Sequence, residues 1–240
     1  MDRELFIQPS VRIRNLEKKL LTKSQFERLY EADDLQDSIR HLNETVYSED
    51  LAKIDREENF ELALSNSLNK TYNEILSISP IKELVDVLTY KFAFHNMKVI
   101  VKEKILQEDF EHIYSKVHYE DLDNLKKQFE TEKGEKGTWY EDTIIQAYKI
   151  FEKTKDPEKI EVFIDKRYFE KVLEISKKFG LDLIEEYFKT MIDFINIRTF
   201  IRCKRQEQDI SVLKEALIKG GYIDIDDIST YFYKEIQDLV

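Results

Sequence analysis

The chain has 240 residues, of which 42% are hydrophobic and 36% are charged. This mixture is typical of a globular protein and excludes a disordered or membrane-embedded chain, since no stretch approaches the roughly 20 apolar residues that a membrane span requires. The net charge of -11 disfavours nucleic acid as a partner, because phosphate backbones repel an acidic surface. The single Cys203 cannot form an intrachain disulfide, which fits a reducing cytoplasm.

Glycine and proline are scarce, at 5 and 3 residues. Sheet-rich folds need many tight turns, and tight turns need these two residues. Apolar positions also recur at helical spacing, as in Leu84, Val87, Leu88 and Phe92. The sequence therefore predicts an all-α fold. In chain order the predicted helices span residues 10–21, 23–32, 34–43, 56–78, 80–107, 109–116, 119–132, 139–153, 157–179, 182–207, 210–219 and 225–238.

Residues that begin and end helices mark many of these bounds. The segments Thr22–Gln25 and Thr138–Glu141 fit the capping box, in which a hydroxyl and a later amide or carboxylate satisfy free N–H groups. Ser79 and Asp156 each precede a proline, which needs no N–H at the first helical position. Glycine adopts the left-handed conformation at little cost, so helices are expected to end near three glycines: Gly180, Gly220 and Gly221.

An internal repeat is the most informative feature of the chain. The segment Phe94–Lys104 aligns with Phe194–Lys204 at an offset of 100, and both read Phe-x-Asn-apolar-basic-x-apolar-apolar-basic-x-Lys. Tyr119–Leu125 resembles Tyr222–Ile228 at a similar offset, and Ser10–Ile13 is a fainter copy. Such repeats indicate one helical unit that is used several times. We interpret residues 1–240 as one helical region with repeat units at about 1–95, 96–195 and 196–240, the last of them incomplete.

Two polar features recur with the repeat. Asn96 and Asn196 are matched asparagines in helix interiors, where asparagine is unfavourable because its amide competes for backbone groups. We interpret both as structural residues whose amide makes a specific hydrogen bond. Basic residues four apart follow each asparagine on one helix face, and they either form a solvated face or bind an acidic partner. These candidate partner-binding residues are Lys98, Lys102, Arg198, Arg202 and Arg205.

Motifs for catalysis or cofactor binding are weak. Gly134–Thr138 lacks the spacing of a phosphate-binding loop, and the acidic cluster at 224–227 is better explained by helix capping. The four histidines show no metal-ligand spacing. Cys203 lies beside Arg202, which could lower its pKa, but a packed thiol is the simpler interpretation. The sequence therefore predicts no catalytic, cofactor-binding or metal-binding residue.

A family resemblance becomes specific at the repeat. The segment Ile192–Arg202 resembles the signature Asp/Phe-x-x-Asn-apolar-Lys/Arg-x-apolar-apolar-Arg/Lys of the C-type, or d-type, subunit family of V-type (V/A-type) ATPases. The likeness extends over roughly residues 10–240 and covers nearly the whole chain. Further segments that match in order are Val11–Leu21, Phe26–Leu29, Leu42–Tyr47, Asp165–Phe169 and Leu217–Gly221.

The resemblance implies an all-α protein whose repeated helical bundles form a pseudo-threefold funnel. In the family, this funnel is a non-catalytic socket that couples the central-stalk subunits to the membrane proteolipid ring during ion transport. The resemblance further implies a cytoplasmic protein that is peripheral on the membrane through the ATPase complex, monomeric in isolation and without a cofactor. Family members run on for about a further helical unit, so this chain is either truncated at its C-terminus or a short relative.

Two other interpretations remain. A generic helical-repeat scaffold or adaptor with a different partner explains the periodicity and the charge, but it does not explain the ordered motif matches. An all-helical enzyme would require a deep pocket with clustered acids of strongly shifted pKa, and no motif predicts one. A coupling role in the motor is distinguished from both by contact with the stalk and with the proteolipid ring.

Overall fold

The computed structural model describes residues 4–117, 126, 129 and 139–234, and every regular element among them is helical, which confirms the all-α prediction. The α-helices are α1 (Ile7–Glu17), α2 (Lys23–Tyr30), α3 (Leu35–Asn43), α4 (Ser48–Leu51), α5 (Phe60–Ile78), α6 (Lys82–Leu106), α7 (Trp139–Thr154), α8 (Pro157–Phe179), α9 (Asp182–Arg205), α10 (Ile210–Ala216) and α11 (Ile225–Thr230). Short 3-10 turns occur at Glu4–Phe6, Glu57–Asn59, Glu111–Ile113 and Tyr231–Tyr233.

Local capping explains several of these bounds. The hydroxyl of Thr22 accepts the N–H of Gln25, and the Gln25 side chain accepts the N–H of Thr22, so the predicted capping box begins α2. Asp156 caps α8, and Pro157 occupies its first turn as predicted. Gly180 ends α8 at a φ of 62°, in the left-handed region that glycine adopts most easily.

Three predicted helix starts differ from the structure by two residues or more. Helix α5 begins at Phe60 rather than at residue 56, after the turn Glu57–Asn59. Helix α6 begins at Lys82 rather than at Pro80, because the Ser79 hydroxyl donates to the carbonyl of Ile81 at 2.7 Å instead of capping the helix. Helix α1 begins at Ile7, three residues earlier than predicted. It includes Pro9 in its first turn, where the missing N–H of proline has no helical partner to lose.

The helix predicted over residues 109–116 is wrong, since only the short turn Glu111–Ile113 forms there. Glu103 of α6 supplies the reason. Its carboxylate accepts the N–H of Phe110 at 3.0 Å and the hydroxyl of Tyr114 at 2.6 Å. These bonds hold both ends of the segment against α6, and the backbone of Tyr114 is extended, at a ψ of 133°, which ends the turn.

The carboxyl-terminal prediction of one helix over 225–238 is also too long. Helix α11 ends at Thr230 and is followed by the turn Tyr231–Tyr233.

Several other predictions lie outside the described residues. They are the helix over 119–132 apart from residues 126 and 129, the capping box at Thr138, the repeat segment Tyr119–Leu125 and everything beyond residue 234.

The described residues form two compact units. One contains residues 4–93 and 115–117, with a buried cluster of Ile39, Leu51 and Ala63. The other contains residues 94–114, 126, 129 and 139–234, and the positions discussed below from residue 94 onward lie within it. One of its buried clusters comprises Phe200, Cys203, Leu213, Leu217, Ile228 and Phe232. The division into three repeat units and the pseudo-threefold funnel stay predictions.

Candidate functional site

Asn196 on α9 is the most completely buried polar residue of the repeat, with 0% of its surface exposed. Its Nδ2 donates to the carbonyl oxygen of Ile218 at 2.8 Å, and its Oδ1 accepts the N–H of the same residue at 2.9 Å. The side-chain amide therefore pairs with both backbone groups of a buried residue that lies outside any helix. Asn196 ties α9 to the segment that follows α10.

Asp193, three residues before Asn196, binds the next part of the same segment. Its two carboxylate oxygens accept the N–H groups of Tyr222 and Ile223, each at 3.1 Å. Gly221 lies against this carboxylate, because a Cβ atom built there would stand 2.1 Å from Oδ1 of Asp193. We call Asp193 and Asn196 the α9 clasp. Sequence reasoning missed the role of Asp193, although an acid three residues before a buried asparagine was the available signal.

In the first copy of the repeat, the basic residues bind carboxylates of α8. The Nζ of Lys98 lies 2.8 Å from Glu161 and 2.7 Å from Asp165, and the Nζ of Lys102 lies 2.5 Å from Glu161. Asn96, the counterpart of Asn196, is buried. The pairing of these acids with the lysines was not predicted from the sequence. Their spacing of four residues, which equals the spacing of the lysines, was a usable signal.

Burial and charge act in opposite directions in this ion-pair network. Burial lowers the pKa of Lys98, but the carboxylates of Asp165 and Glu161 outweigh it and raise that pKa above its ordinary value. Burial likewise raises the pKa of Glu161, yet hydrogen bonds from Lys102 and Lys98 bring it below its ordinary value. The network is therefore ionised at neutral pH and holds α6 to α8.

Acidification is expected to weaken this network. Because the pKa of Glu161 is lower in the folded chain than in the unfolded chain, its stabilising effect is complete above the ordinary value of 4.5 and is lost as the pH falls through the folded value. The Glu161→Gln variant should therefore lose less unfolding free energy than the wild type on acidification. Urea unfolding followed by circular dichroism, from pH 7 down to about pH 3, measures this difference.

The matched control for this prediction is Glu152→Gln. Glu152 is an exposed glutamate of α7, and no ion pair in the described part of the chain includes it. This variant should follow the acid dependence of the wild type. An acid dependence of Glu161→Gln that also matches the wild type would contradict the role of the network.

In the second copy of the repeat, the basic residues have different surroundings. Arg198, Arg202 and Arg205 are all exposed on α9, and within residues 139–234 none of them makes an ion pair. The sequence pattern predicts the same role for both copies. The structure separates them, because the lysines are bound to α8 while the arginines face solvent.

Arg202 also borders an open cleft of about 1410 Å³. Three carboxylates in its wall are each bound by a lysine, including Glu215, whose carboxylate lies 2.9 Å from the Nζ of Lys159. General acid–base catalysis needs titratable groups whose surroundings give them different pKa values. The three carboxylates of this cleft are each paired with a lysine in the same way. Across the described ranges, no group of three or more His, Cys, Asp or Glu residues is arranged to hold a metal ion.

The remaining polar residues near the end of the second copy have packing roles. Cys203 is buried beside Phe200 and Leu213, and burial raises the pKa of its thiol, which the nearby Arg202 guanidinium only partly offsets. The ammonium group of Lys204 donates to the carbonyl of Phe232 at 2.6 Å.

Of the helices in the described residues, none is both long enough and apolar enough to cross a bilayer.

Comparison with known proteins places this chain in a family. A family model described as ATP synthase (C/AC39) subunit matches residues 9–240. The C subunit of the V-type sodium ATPase of Enterococcus hirae is 24% identical over 231 residues, which cover 96% of this chain and 70% of that protein. The C subunits of the A-type ATP synthases of Thermococcus kodakarensis and Pyrococcus horikoshii are 27% and 29% identical over 92% and 90% of this chain.

The alignments cover 63% of the Thermococcus protein and 60% of the Pyrococcus protein, so this chain spans between 60% and 70% of the length of these three relatives. The family model nevertheless covers nearly the whole of this chain. The chain belongs to the ATP synthase (C/AC39) subunit family.

Proposed function

We propose that this chain is a non-catalytic central-stalk subunit of a rotary V/A-type ATPase or ATP synthase. In this role it acts as a socket that couples the rotating stalk to the membrane proteolipid ring during ion transport. The observation that carries the proposal is the family match over residues 9–240, with relatives named as the C subunits of a sodium ATPase and of ATP synthases. ATP would be hydrolysed or made on other subunits of the complex.

The contacts of the repeat favour a mechanical role. The clasp residues Asp193 and Asn196 hold a backbone segment, and Lys98 and Lys102 hold α8. Groups engaged in this way make the helices rigid with respect to each other, as a part that transmits torque requires. The arginines of α9 are exposed and make no ion pair within residues 139–234, so we assign partner contact to Arg198, Arg202 and Arg205.

The proposal also places the chain in the cell. It would lie on the cytoplasmic side, peripheral on the membrane through its contact with the proteolipid ring, and would be a monomer when purified alone. The repeat units at 1–95, 96–195 and 196–240 would provide the helical walls of the proposed pseudo-threefold funnel. Shape and polar contacts between these walls and the stalk would carry torque without covalent chemistry.

Reversing the charge of Arg198, Arg202 and Arg205 to glutamate should weaken association with the stalk subunits or with the ring. The expected loss is at least about tenfold in affinity, because rim charges steer partners and like charges across an interface repel. Pull-down of the detergent-solubilised ring and of purified stalk subunits by the tagged chain measures it. Helicity by circular dichroism should not change, since all three side chains are exposed.

The control reverses three lysines, Lys149, Lys177 and Lys214, which are exposed positions of the same unit and lie outside the ion pairs found among residues 139–234. It changes the net charge by the same amount and should leave association intact. Equal binding by the arginine variant and the wild type would show that the arginines form only a solvated face. A wild-type chain that binds neither stalk nor ring would favour the helical-repeat adaptor instead.

A further inference from the structure

The segment that follows α10 packs on α9 without a long element of its own. We call residues 218–234 the strap. Its regular elements are α11, which has 6 residues, and the turn Tyr231–Tyr233. Residues 218–224, which precede α11, contain no helix. A helix as short as α11 is unstable by itself in water, so the strap depends on α9 for its structure.

The start of the strap is held by side chains of α9 rather than by other backbone. The α9 clasp binds both backbone groups of Ile218 and the N–H groups of Tyr222 and Ile223. Between the last two contacts and the first lies Gly220, at a φ of 104°. Glycine regains more conformational freedom on release than any other residue, which favours an open form of this part of the strap.

The end of the strap is held by a third side chain of the same helix. The ammonium group of Lys204 donates to the carbonyl of Phe232 at 2.6 Å and also to the carbonyl of Lys234. The ring of Phe232 makes an edge contact with Phe200 of α9, at 5.9 Å between centroids. Both ends of the strap are therefore attached to one helix.

Few side chains of the strap are buried. Its buried apolar residues are Ile218, Ile228 and Phe232. Helix α8 buries twice as many, which are Ile160, Ile164, Phe169, Val172, Leu173 and Ile175. The hydrogen bonds of the clasp to Tyr222 and Ile223 also lie at the surface. Segments with few buried apolar contacts and exposed hydrogen bonds open at a lower free energy than the core.

We propose that the strap opens from α9 as one cooperative unit while α8 and α9 stay folded. Its anchors all lie on one helix, and neither α11 nor the turn after it is long enough to persist alone. Opening uncovers the apolar side of α9 at Phe200 and Cys203, which are buried in one cluster with Ile228 and Phe232. This conformational device belongs to the unit itself and is independent of the coupling role.

Hydrogen exchange of the full chain, followed by mass spectrometry at neutral pH and at urea concentrations below the unfolding transition, tests the proposal. In the wild type, the strap should exchange at least about tenfold faster than the middle of α8 around Val172, relative to unstructured peptides. Its exchange should also depend less on urea, because opening of the strap exposes less surface than unfolding of the whole unit.

The Lys204→Met variant tests whether the strap opens as one unit. We expect exchange at Ile218, Tyr222 and Ile223 to rise at least about tenfold, although Lys204 contacts only the other end of the strap. A hydrogen bond from a charged donor is strong enough for a change of this size. The matched control is Lys149→Met, which replaces an exposed lysine of α7 and should exchange like the wild type.

The Glu161→Gln variant tests whether the strap opens separately from the rest of the unit. Glu161 binds Lys98 and Lys102, and these contacts persist when only the strap opens but are lost when the unit unfolds. In urea, where α8 exchanges through unfolding of the unit, this variant should speed exchange of α8. It should leave exchange of the strap unchanged.

Equal protection and equal urea dependence of the strap and α8 in the wild type overturn the proposal, because the strap then opens only with the whole unit. A Lys204→Met variant that speeds exchange only at residues 231–234 overturns it in favour of fraying from one end. The same follows if Glu161→Gln speeds the strap and α8 by one factor. The wild-type comparison needs no substitution, so it decides even where Lys204→Met does not fold.

Discussion

Replacement of Asn196 with alanine is expected to lower the free energy of unfolding by about 2–5 kcal/mol, because it leaves two buried backbone groups of Ile218 without partners. Each unsatisfied buried group costs about 1–3 kcal/mol, and alanine also leaves a small cavity at a site with no exposure. Urea unfolding of the full chain, followed by far-UV circular dichroism, measures the change. The loss should appear in the transition of the unit that contains α9.

The matched control is Gln146→Ala, which removes an amide from an exposed position of α7 in the same unit. Exposed substitutions of this kind change stability by no more than about 0.5 kcal/mol. Asn196→Asp is a sharper comparison, since it keeps the acceptor for the Ile218 N–H and replaces the donor to the Ile218 carbonyl with a second oxygen. A neutral Asn196→Ala would remove the structural role of the clasp.

The Gly221→Ala substitution should be almost as costly, at about 2–4 kcal/mol. The new Cβ would stand 2.1 Å from the carboxylate of Asp193 and 3.1 Å from Ile192, so the carboxylate must move. Its displacement breaks the hydrogen bonds to the N–H groups of Tyr222 and Ile223. Thermal and urea unfolding of the variant measure the cost.

Two controls show whether the carboxylate is the cause. Gly180→Ala meets no atom within 4 Å but stands at a φ of 62°, so it should cost only the roughly 1–2 kcal/mol of the left-handed conformation. In an Asp193→Ala background, Gly221→Ala should cost less than half of its effect in the wild type, because the clashing group is gone. Additive effects of Asp193→Ala and Gly221→Ala would contradict the contact.

These two predictions concern one structural idea. The family signature that identifies this chain contains both clasp residues, and their measured partners are backbone groups rather than other side chains. A motif that binds backbone tolerates change in the bound segment, provided that glycine stays at 221. The signature therefore describes how a helical unit holds the segment that follows it, and the arginines that we propose for partner contact are exposed on the same helix.

Much of the fold could be predicted from local sequence. The capping box of Thr22 and Gln25, the pair Asp156-Pro157 and the terminal Gly180 act within four residues, so their hydrogen bonds and backbone angles depend on nothing distant. The prediction failed where a side chain of another helix holds the segment. Glu103 of α6 accepts bonds from Phe110 and Tyr114, and between these two residues only a short turn forms.

The sequence by itself determined the helical class, most helix positions, the repeat with its matched asparagines and the family. These properties depend on composition, periodicity and short motifs. Only the tertiary structure distinguished the two copies of the repeat, since the same pattern of residue types surrounds Lys98 and Arg198. Lys98 is bound because residues more than 60 positions away on α8 pack against it, whereas no such helix of the described chain covers Arg198. Whether a charged face is neutralised or free depends on which helix packs on it, and that contact is long-range.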